Sequence, residues 1–477
     1  MPRLYQTSPR VTFGVLAAAA AVFALMQSLV TPVLPTIQHD LHTSTTTVTW
    51  VLTAWLLASS VATPIMGRIG DMIGKDRTLL VALAAIAVGC LVAAIAPNIS
   101  ILIVARVLQG FGVAVFPVSF GIIRDEFPAE KVTSAVGIMA AVIATGSGMG
   151  IVLAGPIVSA LDWRYLFWLP MIATVIILGL AWRLIPASPV RTPGKINWLS
   201  ATLLSGWLVA LLLPLSEGSA WGWGAPKTVI LFGAAVVLFA AWFVNEIKST
   251  NPLIDMRMMR LPAVWTTNLV SLLFGAAMFG VFAFLPQLMQ VPSASGYGFG
   301  ATVSKAGLLM LPMMAAMAVF GSVSGPLTKW VSAKAQLLLG AALATLGSLA
   351  IAFQHDAEWK VAVAGGVFGI GLGLVYSSMI NLIVQSVPRH QTGVASGMNT
   401  NIRTIGASIG TAVVSSVVAA HVLPNGLPAE SGYSESFVIT ALAGAAAFGL
   451  ALLVPAAKRL RKTPEPEVLP ELTPVEV

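Results

Sequence analysis

The chain has 477 residues, of which 57% are hydrophobic and only 9% are charged. Soluble domains carry about 25% charged residues, so this composition excludes a soluble protein and indicates an integral membrane protein. The net charge of +8 at pH 7 would suggest a nucleic-acid partner in a soluble chain, but in a membrane protein the positions of the basic residues matter more than their total.

Fourteen apolar runs are long enough to cross a membrane, since a bilayer core of about 30 Å needs roughly 20 residues per helix. They lie near 11–36, 48–67, 79–96, 101–123, 134–160, 166–185, 198–216, 227–246, 264–290, 303–326, 335–353, 360–386, 400–421 and 436–456. The first run follows the basic leader Met1–Arg10, so a cleaved signal peptide is the alternative for it. Because this run is long and closes at Pro32 and Pro35, we interpret it as a retained helix.

Basic residues are distributed unequally between the two sides of this arrangement. When successive runs alternate, 21 basic residues fall on the side of both termini, four fall on the other side, and Arg106 alone remains inside the membrane. The positive-inside rule assigns the basic side to the cytoplasm. We therefore predict a multi-pass protein of the cell (plasma or inner) membrane with both termini cytoplasmic.

A hydrophilic segment follows the second run: Gly67-Arg-Ile-Gly-Asp71-Met-Ile-Gly74-Lys75-Asp-Arg77, with five charges in eleven residues. The chain must leave lipid, turn and re-enter here, and glycine permits close backbone approach and positive φ. Asp71 lies between basic residues that can pair with it or with lipid phosphates. The spacing resembles the signature loop of the major facilitator superfamily; a generic tight cytoplasmic loop is the alternative. A fainter copy, Gly325-Pro-Leu-Thr-Lys329, suggests an internal repeat.

The fourth run contains Arg106, the sole charge that we place deep in any run. A guanidinium at membrane depth costs at least about 2.5 kcal/mol, so it should face a polar cavity or a partner. Gln109 and Gly110 lie on the same helical face. The segment Leu102–Gly112 resembles the buried-arginine motif of the superfamily, which implies that Arg106 couples ion movement to substrate movement. A structural arginine bound to backbone carbonyls is the alternative.

The fifth run carries small residues on one face, which lets helices approach closely in lipid. They are Gly137, Gly146, Gly150 and Gly155. Their spacing resembles the antiporter motif and implies exchange, although Ile151 stands in place of its proline and Ala154 in place of one glycine. A simple packing groove is the alternative.

Four later segments are similar to those of the fourteen-span drug:proton antiporters, namely 163–168, 218–223, 285–299 and 393–406. The resemblance covers nearly the whole chain. It implies an all-α polytopic membrane protein of the major facilitator fold, with two six-helix bundles and a two-helix insert. We place the first bundle at 1–190, the insert at 191–260, the second bundle at 261–460, and a disordered cytoplasmic tail at 461–477.

The chain departs from that family in its first run, where Met26 and Gln27 occupy the place of the usual aspartate. None of the 18 acidic residues lies well inside a run, so Asp40, Glu217 or Asp71 would have to carry the proton. An unpaired Arg106 disfavours lipophilic dications and favours neutral, zwitterionic, anionic or amphipathic substrates. Mid-run polar and aromatic positions are the candidate cavity residues, with helix packing as the alternative for each: Met26, Gln27, Trp55, Phe279, Gln287, Tyr376 and Asn381.

We therefore expect a secondary active transporter that exports lipophilic small molecules (multidrug efflux) by proton antiport with alternating access. The alternatives are a dedicated exporter of one endogenous metabolite or lipid, and a transport-dead sensor of the same fold. The sequence has no Walker motif, no His/Cys cluster and a single cysteine, Cys90, so we expect neither an enzyme nor a metal site. We expect no cofactor besides the proton gradient. Substrate, membrane lipids and protons are the expected partners of a monomer that binds no nucleic acid.

Overall fold

The computed structural model describes residues 8–189, 196–388, 391–423 and 427–455. The predicted boundary at 190/191 and the predicted tail 461–477 lie outside the described residues. The helices are α1 Pro9–Leu29, α2 Leu34–Asp40, α3 Thr45–Ile73, α4 Lys75–Ala94, α5 Ile99–Gly110, α6 Val115–Glu126, α7 Ala129–Ala160, α8 Tyr165–Leu184, α9 Trp198–Trp221, α10 Pro226–Lys248, α11 Met256–Met259, α12 Pro262–Gln290, α13 Val303–Leu327, α14 Ala333–Phe353, α15 Glu358–Ser386, α16 Thr392–Ala420 and α17 Glu430–Leu453.

Within the described residues, fourteen helical segments are long and apolar enough to cross a membrane, which confirms the predicted number. α1 and α2 together form one span, and α5 and α6 form another. The 3₁₀ turn Thr31–Val33 joins the first pair, because Pro32 lacks the amide hydrogen that a continuous α-helix needs. The turn Phe111–Ala114 joins the second pair.

The helices pack as two bundles, as the fold class predicts. In the first bundle α1 contacts α7, α4 contacts α8, and α3 contacts α5. In the second, α13 and α14 contact α15, and α12 contacts α16. The bundles meet where α3 contacts α16 and where α7 contacts α13. The insert lies outside the first of these seams: α9 contacts both α3 and α16, and α10 packs on α9.

The hydrophilic segment after the second run turns within a single residue, and most of it is helical. α3 continues to Ile73 and α4 begins at Lys75, so the chain reverses at Gly74, which has φ 112°. Only glycine adopts this backbone conformation without strain. At Gly67 a β-carbon would lie 2.9 Å from the carbonyl oxygen of Gly393, so this glycine serves a close approach between α3 and α16.

Charged residues of this segment link α4 to other helices of the first bundle. Lys75 Nζ lies 2.6 Å from Asp125 Oδ2, and the two side chains are 1% and 2% exposed. Gly121 leaves the room for the lysine, since a β-carbon there would lie 2.6 Å from Lys75 Cδ. Asp76 Oδ1 accepts a hydrogen bond of 3.1 Å from the backbone of Ser188, beyond the end of α8. Arg77 is exposed.

Removing one partner of this buried pair should destabilise the protein strongly, because the other charge would remain buried without compensation. We expect Lys75→Met or Asp125→Leu alone to cost about 3–5 kcal/mol, and the double substitution to recover much of that loss. Thermal unfolding of the purified protein in detergent measures the effect. Lys360→Met, which breaks the exposed pair with Asp356, is the control and should change the midpoint little. Equal losses at both sites would contradict this assignment.

Candidate functional site

A cavity of about 380 Å³ lies between the two bundles. The basic side identified above is called the cytoplasmic side, and the other the outer side. On α3 the lining extends from Leu52 to Thr63, and on α16 from Thr400 to Ser415. α3 enters from the outer side and α16 from the cytoplasmic side, so the cavity occupies the middle and outer part of the seam.

The lining combines apolar and hydroxyl side chains from both bundles. Trp55, Phe279 and Phe282 supply aromatic surface. The hydroxyl-bearing residues include Ser59, Ser60, Thr63, Thr400, Thr404 and Ser408. A larger groove of about 630 Å³ between α1, α7, α8 and α13 is lined almost wholly by apolar side chains and carries no ionisable group. The central cavity is therefore the candidate site.

The seam is closed on the cytoplasmic side by close backbone packing and by Asp71. The Gly67–Gly393 contact brings α3 against the first turn of α16. There Asp71 Oδ2 accepts a hydrogen bond of 3.3 Å from the backbone N–H of Val394. A carboxylate is favoured at a helix N-terminus because the amide groups there are unpaired and point toward it. Asp71 thus bridges the bundles, whereas Lys75, one of its expected basic partners, pairs with Asp125.

Arg124 makes a second bridge on the same side. Its Nη2 donates to the carbonyl oxygen of Val387 at 2.6 Å, and its Nη1 donates to Thr392 Oγ1 at 2.7 Å. Gln385 Nε2 donates to Thr133 Oγ1 at 2.9 Å, which ties α15 to α7. These contacts cross between the bundles, so they must break if the cytoplasmic side opens.

The insert touches both bundles near the outer side. Thr53 Oγ1 donates to Glu217 Oε1 at 2.8 Å, linking α3 to α9. Trp223, after α9, donates from Nε1 to Ser416 Oγ of α16 at 3.0 Å. Glu217 was expected in an external loop, but it lies in α9 and is 3% exposed. Glu217 is buried because α9 continues to Trp221, beyond the predicted end of the apolar run at 216.

Arg106 is fully buried and does not line the cavity. Its Nε donates to the carbonyl oxygen of Val51 at 3.1 Å, and its Nη1 donates to Gln109 Oε1 at 2.7 Å. The guanidinium also lies 5.5 Å from the ring of Trp55, which separates it from the cavity. Gly110 lets this helix approach α3, since a β-carbon there would lie 2.6 Å from Ala58 Cβ. The contacts to Val51 and Gln109 are those of the structural alternative, while Arg106 Nη2 is buried without a hydrogen-bond partner among the described residues.

Arg106 is not the sole charge deep in a run as predicted, because Arg403 is a second one. The predicted run begins at 400, which puts Arg403 at its cytoplasmic edge, but α16 begins at Thr392. Arg403 thus lies roughly 16 Å along the helix from its start. It lines the cavity, and its guanidinium lies 4.5 Å from the ring of Tyr376. The sequence 392–399 has few large apolar side chains because this part of α16 packs on protein, and hydropathy therefore missed it.

Four of the seven candidate cavity residues line the cavity: Gln27, Trp55, Phe279 and Tyr376. Met26 points away from it and contacts Cys90, with the two sulfur atoms 3.2 Å apart. Asn381 is buried outside the lining, and Gln287 is exposed near the outer end of α12. Predicting these three in the cavity was wrong, because polarity and position in a run do not fix the direction in which a helical side chain points.

The small residues of α7 serve close packing on both sides. A β-carbon at Gly150 would lie 2.4 Å from the carbonyl oxygen of Leu25, and one at Gly146 would lie 3.0 Å from Ala24 Cβ. Gly137 faces Ser377 of the other bundle, and Gly155 is partly exposed. Gly148, which the sequence analysis did not single out, faces Met314 on α13. At these glycines the backbone of α7 therefore lies directly against α1 on one side and the second bundle on the other.

Comparison with known proteins gives a family match over most of the chain. The family model of the Major Facilitator Superfamily matches residues 16–411. The chain is 30% identical over 408 residues to the tetracenomycin C resistance and export protein of Streptomyces glaucescens, covering 84% of this chain and 74% of the relative. It is 31% identical over 385 residues to the methylenomycin A resistance protein of Streptomyces coelicolor, covering 78% of each.

A solved structure shares the fold at low sequence identity. The proton:xylose symporter XylE superposes with a TM-score of 0.66 at 13% identity, covering 94% of this chain and 96% of that one. At this identity the likeness shows the arrangement of the helices.

Neutralising Asp71 should shift the protein away from the conformation that is closed on the cytoplasmic side. We expect Asp71→Asn to weaken closure by about 1–2 kcal/mol, because it removes a charge from a helix N-terminus. In a Ser415→Cys background, labelling by a membrane-impermeant maleimide from outside should slow, since that position lines the cavity in this conformation. The native cysteine is buried and gives little background.

Lys329→Gln is the matched control, because it removes an exposed cytoplasmic charge that lies away from the α3–α16 contact. It should leave the labelling rate unchanged. If Asp71→Asn also leaves it unchanged, the carboxylate does not hold the seam closed.

Proposed function

The chain belongs to the Major Facilitator Superfamily, and from that premise we propose that it exports lipophilic small molecules by alternating access, with protons moving in the opposite direction. Members of this family are transporters rather than enzymes. We place the protein in the cell membrane with both termini in the cytoplasm. It works as a monomer among membrane lipids, and the proton gradient takes the place of any cofactor.

The cavity is the observation that carries this proposal. It lies between two bundles that contact each other through glycines, polar bridges and shared apolar packing. Its aromatic lining, with Trp55, Phe279 and Phe282, offers broad apolar contact area to a substrate. The hydroxyl groups offer hydrogen bonds without fixing one geometry. Such a site suits compounds that enter from the lipid or the cytoplasm.

The relatives support the direction of transport. One is named for resistance to and export of tetracenomycin C, and another for resistance to methylenomycin A. Resistance requires that the compound leave the cytoplasm. Each name refers to a single compound, so dedicated export of one metabolite is the second candidate. A substrate panel separates it from broad efflux.

Two buried carboxylates are the candidate proton carriers. Glu217 lies near the outer side, where it accepts a hydrogen bond from Thr53, a residue that lines the cavity. Asp71 lies near the cytoplasmic side and holds α16. Protonation of either one removes the charge that stabilises its bridge. The membrane potential supplies about 2.3 kcal/mol per charge per 100 mV to this cycle.

Reconstituted transport tests the proposal. Proteoliposomes with an imposed pH gradient should accumulate several chemically distinct lipophilic compounds and lose that accumulation when an ionophore collapses the gradient. Glu217→Gln should abolish most of the gradient-driven component, because glutamine cannot take up a proton. Substrate exchange without a gradient should persist in this variant.

Asp356→Asn is the matched control, since it neutralises an exposed outer carboxylate beyond the cavity. It should transport like the unmodified protein. Transport that ignores the pH gradient would exclude proton coupling, and the absence of transport for every compound would exclude an exporter and favour the sensor alternative.

A further inference from the structure

Arg403 carries a buried charge that its surroundings leave unsatisfied. The residue is 7% exposed and lines the central cavity. Its Nη1 atom is buried and has no hydrogen-bond partner. The contact that holds the guanidinium is the face of Tyr376, 4.5 Å away, and an aromatic face attracts a cation without accepting its N–H groups in line. The described residues therefore supply no hydrogen-bond acceptor to this N–H group.

No carboxylate offsets this charge within the cavity. The residues that line it include Arg403 and no other ionisable acid or base except the phenol of Tyr376. The two buried carboxylates near the ends of the seam are engaged elsewhere, Asp71 with Val394 and Glu217 with Thr53. Among the described residues, no ion pair involves Arg403. A guanidinium at membrane depth without an anion is costly, so it should be retained for a ligand.

Arg106 is the second buried arginine, and its guanidinium has a carbonyl and an amide acceptor. Arg106 is held by the carbonyl oxygen of Val51 and by Gln109, behind Trp55 and out of the cavity. Arg403 Nη1 has no such acceptor among the described residues, and its side chain lines the cavity. Arg106 Nη2 is also buried without a partner there, so what separates the two arginines is position: Arg403 faces the cavity and Arg106 does not.

The rest of the lining fits an anion with an apolar body. Thr400 flanks Arg403 on the cavity face of α16, and Ser59 and Ser60, whose hydroxyl groups have no hydrogen-bond partner among the described residues, lie on α3 across the cavity. Hydroxyl groups can donate to the remaining oxygen atoms of a carboxylate. Phe279 and Phe282 provide the apolar surface for the rest of the molecule.

We propose that Arg403 is the anion subsite of the cavity and that the preferred substrates are amphipathic organic anions, with a carboxylate against the guanidinium. This inference rests on the proposed function and narrows its substrate class. From the sequence, Arg106 was expected to disfavour lipophilic dications and to favour neutral, zwitterionic, anionic or amphipathic substrates; the anion preference proposed here comes from a different residue, on the other bundle.

A matched set of probes tests the subsite directly. Pyrenebutyrate, its methyl ester and pyrenemethylamine share one aromatic body and differ in charge. We expect the purified protein to bind the acid more tightly than the ester or the amine, measured by fluorescence anisotropy. Arg403→Gln should weaken binding of the acid by about 10- to 100-fold, the effect of losing a charged hydrogen bond. It should leave the ester unchanged, which also shows that the cavity is intact.

Arg403→Lys keeps the charge and should retain part of the preference for the acid. Lys305→Gln is the control, because it removes an exposed outer cation that pairs with Glu358 outside the cavity. It should bind all three probes normally. Equal affinity for the three probes, tighter binding of the amine, or an Arg403→Gln variant that still prefers the acid would each overturn the proposal.

Transport of the same probes in proteoliposomes distinguishes failure of the anion subsite from failure of the exporter assignment. If the ester or the amine is exported and the acid is not preferred, the exporter assignment stands and the anion subsite fails. If no probe of any charge is moved, the exporter assignment itself fails.

Discussion

The contact between Gly67 and Gly393 is the constraint on which the rest of the structure depends. Two helix backbones can approach this closely only where neither residue has a β-carbon, and the approach brings the start of α16 within reach of Asp71. Helix association in lipid relies on such packing because there is no hydrophobic driving force between apolar helices. Closure on this side leaves the unfilled space of the seam in its middle and outer part.

The repeated architecture places an equivalent contact on the opposite seam. Gly325, in the fainter copy of the hydrophilic segment, packs on Thr133 and Ser134 at the start of α7, as Gly67 packs on the start of α16. The second copy has no counterpart of Asp71, so the carboxylate bridge exists on one seam only. The two seams therefore share close glycine packing on the cytoplasmic side but differ in charge. Because the carboxylate bridge belongs to the α3–α16 seam, protonation of Asp71 should affect closure there.

Patterns that depend on the membrane as a solvent could be predicted from the sequence. The number of spans follows from the length of the apolar runs. The basic residues fall mainly on one side of the predicted membrane, except that Arg403, which the prediction put on that side, lies within a span. Gly74 could be assigned to a turn because charge and glycine coincide there. Side-chain direction could not be predicted: Met26 and Gln27 are neighbours, yet one contacts Cys90 and the other lines the cavity. Arg403 was misplaced because protein, and not lipid, covers the first turns of α16.

Distance measurements across the cytoplasmic side test this account most directly. Ile73 at the end of α3 and Trp330 beyond α13 are exposed and belong to different bundles, so spin labels at these positions report their separation. Pulsed electron paramagnetic resonance on the protein in lipid nanodiscs should give one short distance distribution for the unmodified protein and a longer population for Asp71→Asn. Identical distributions in both would contradict the claim that this carboxylate and the glycine contact beneath it hold the bundles together.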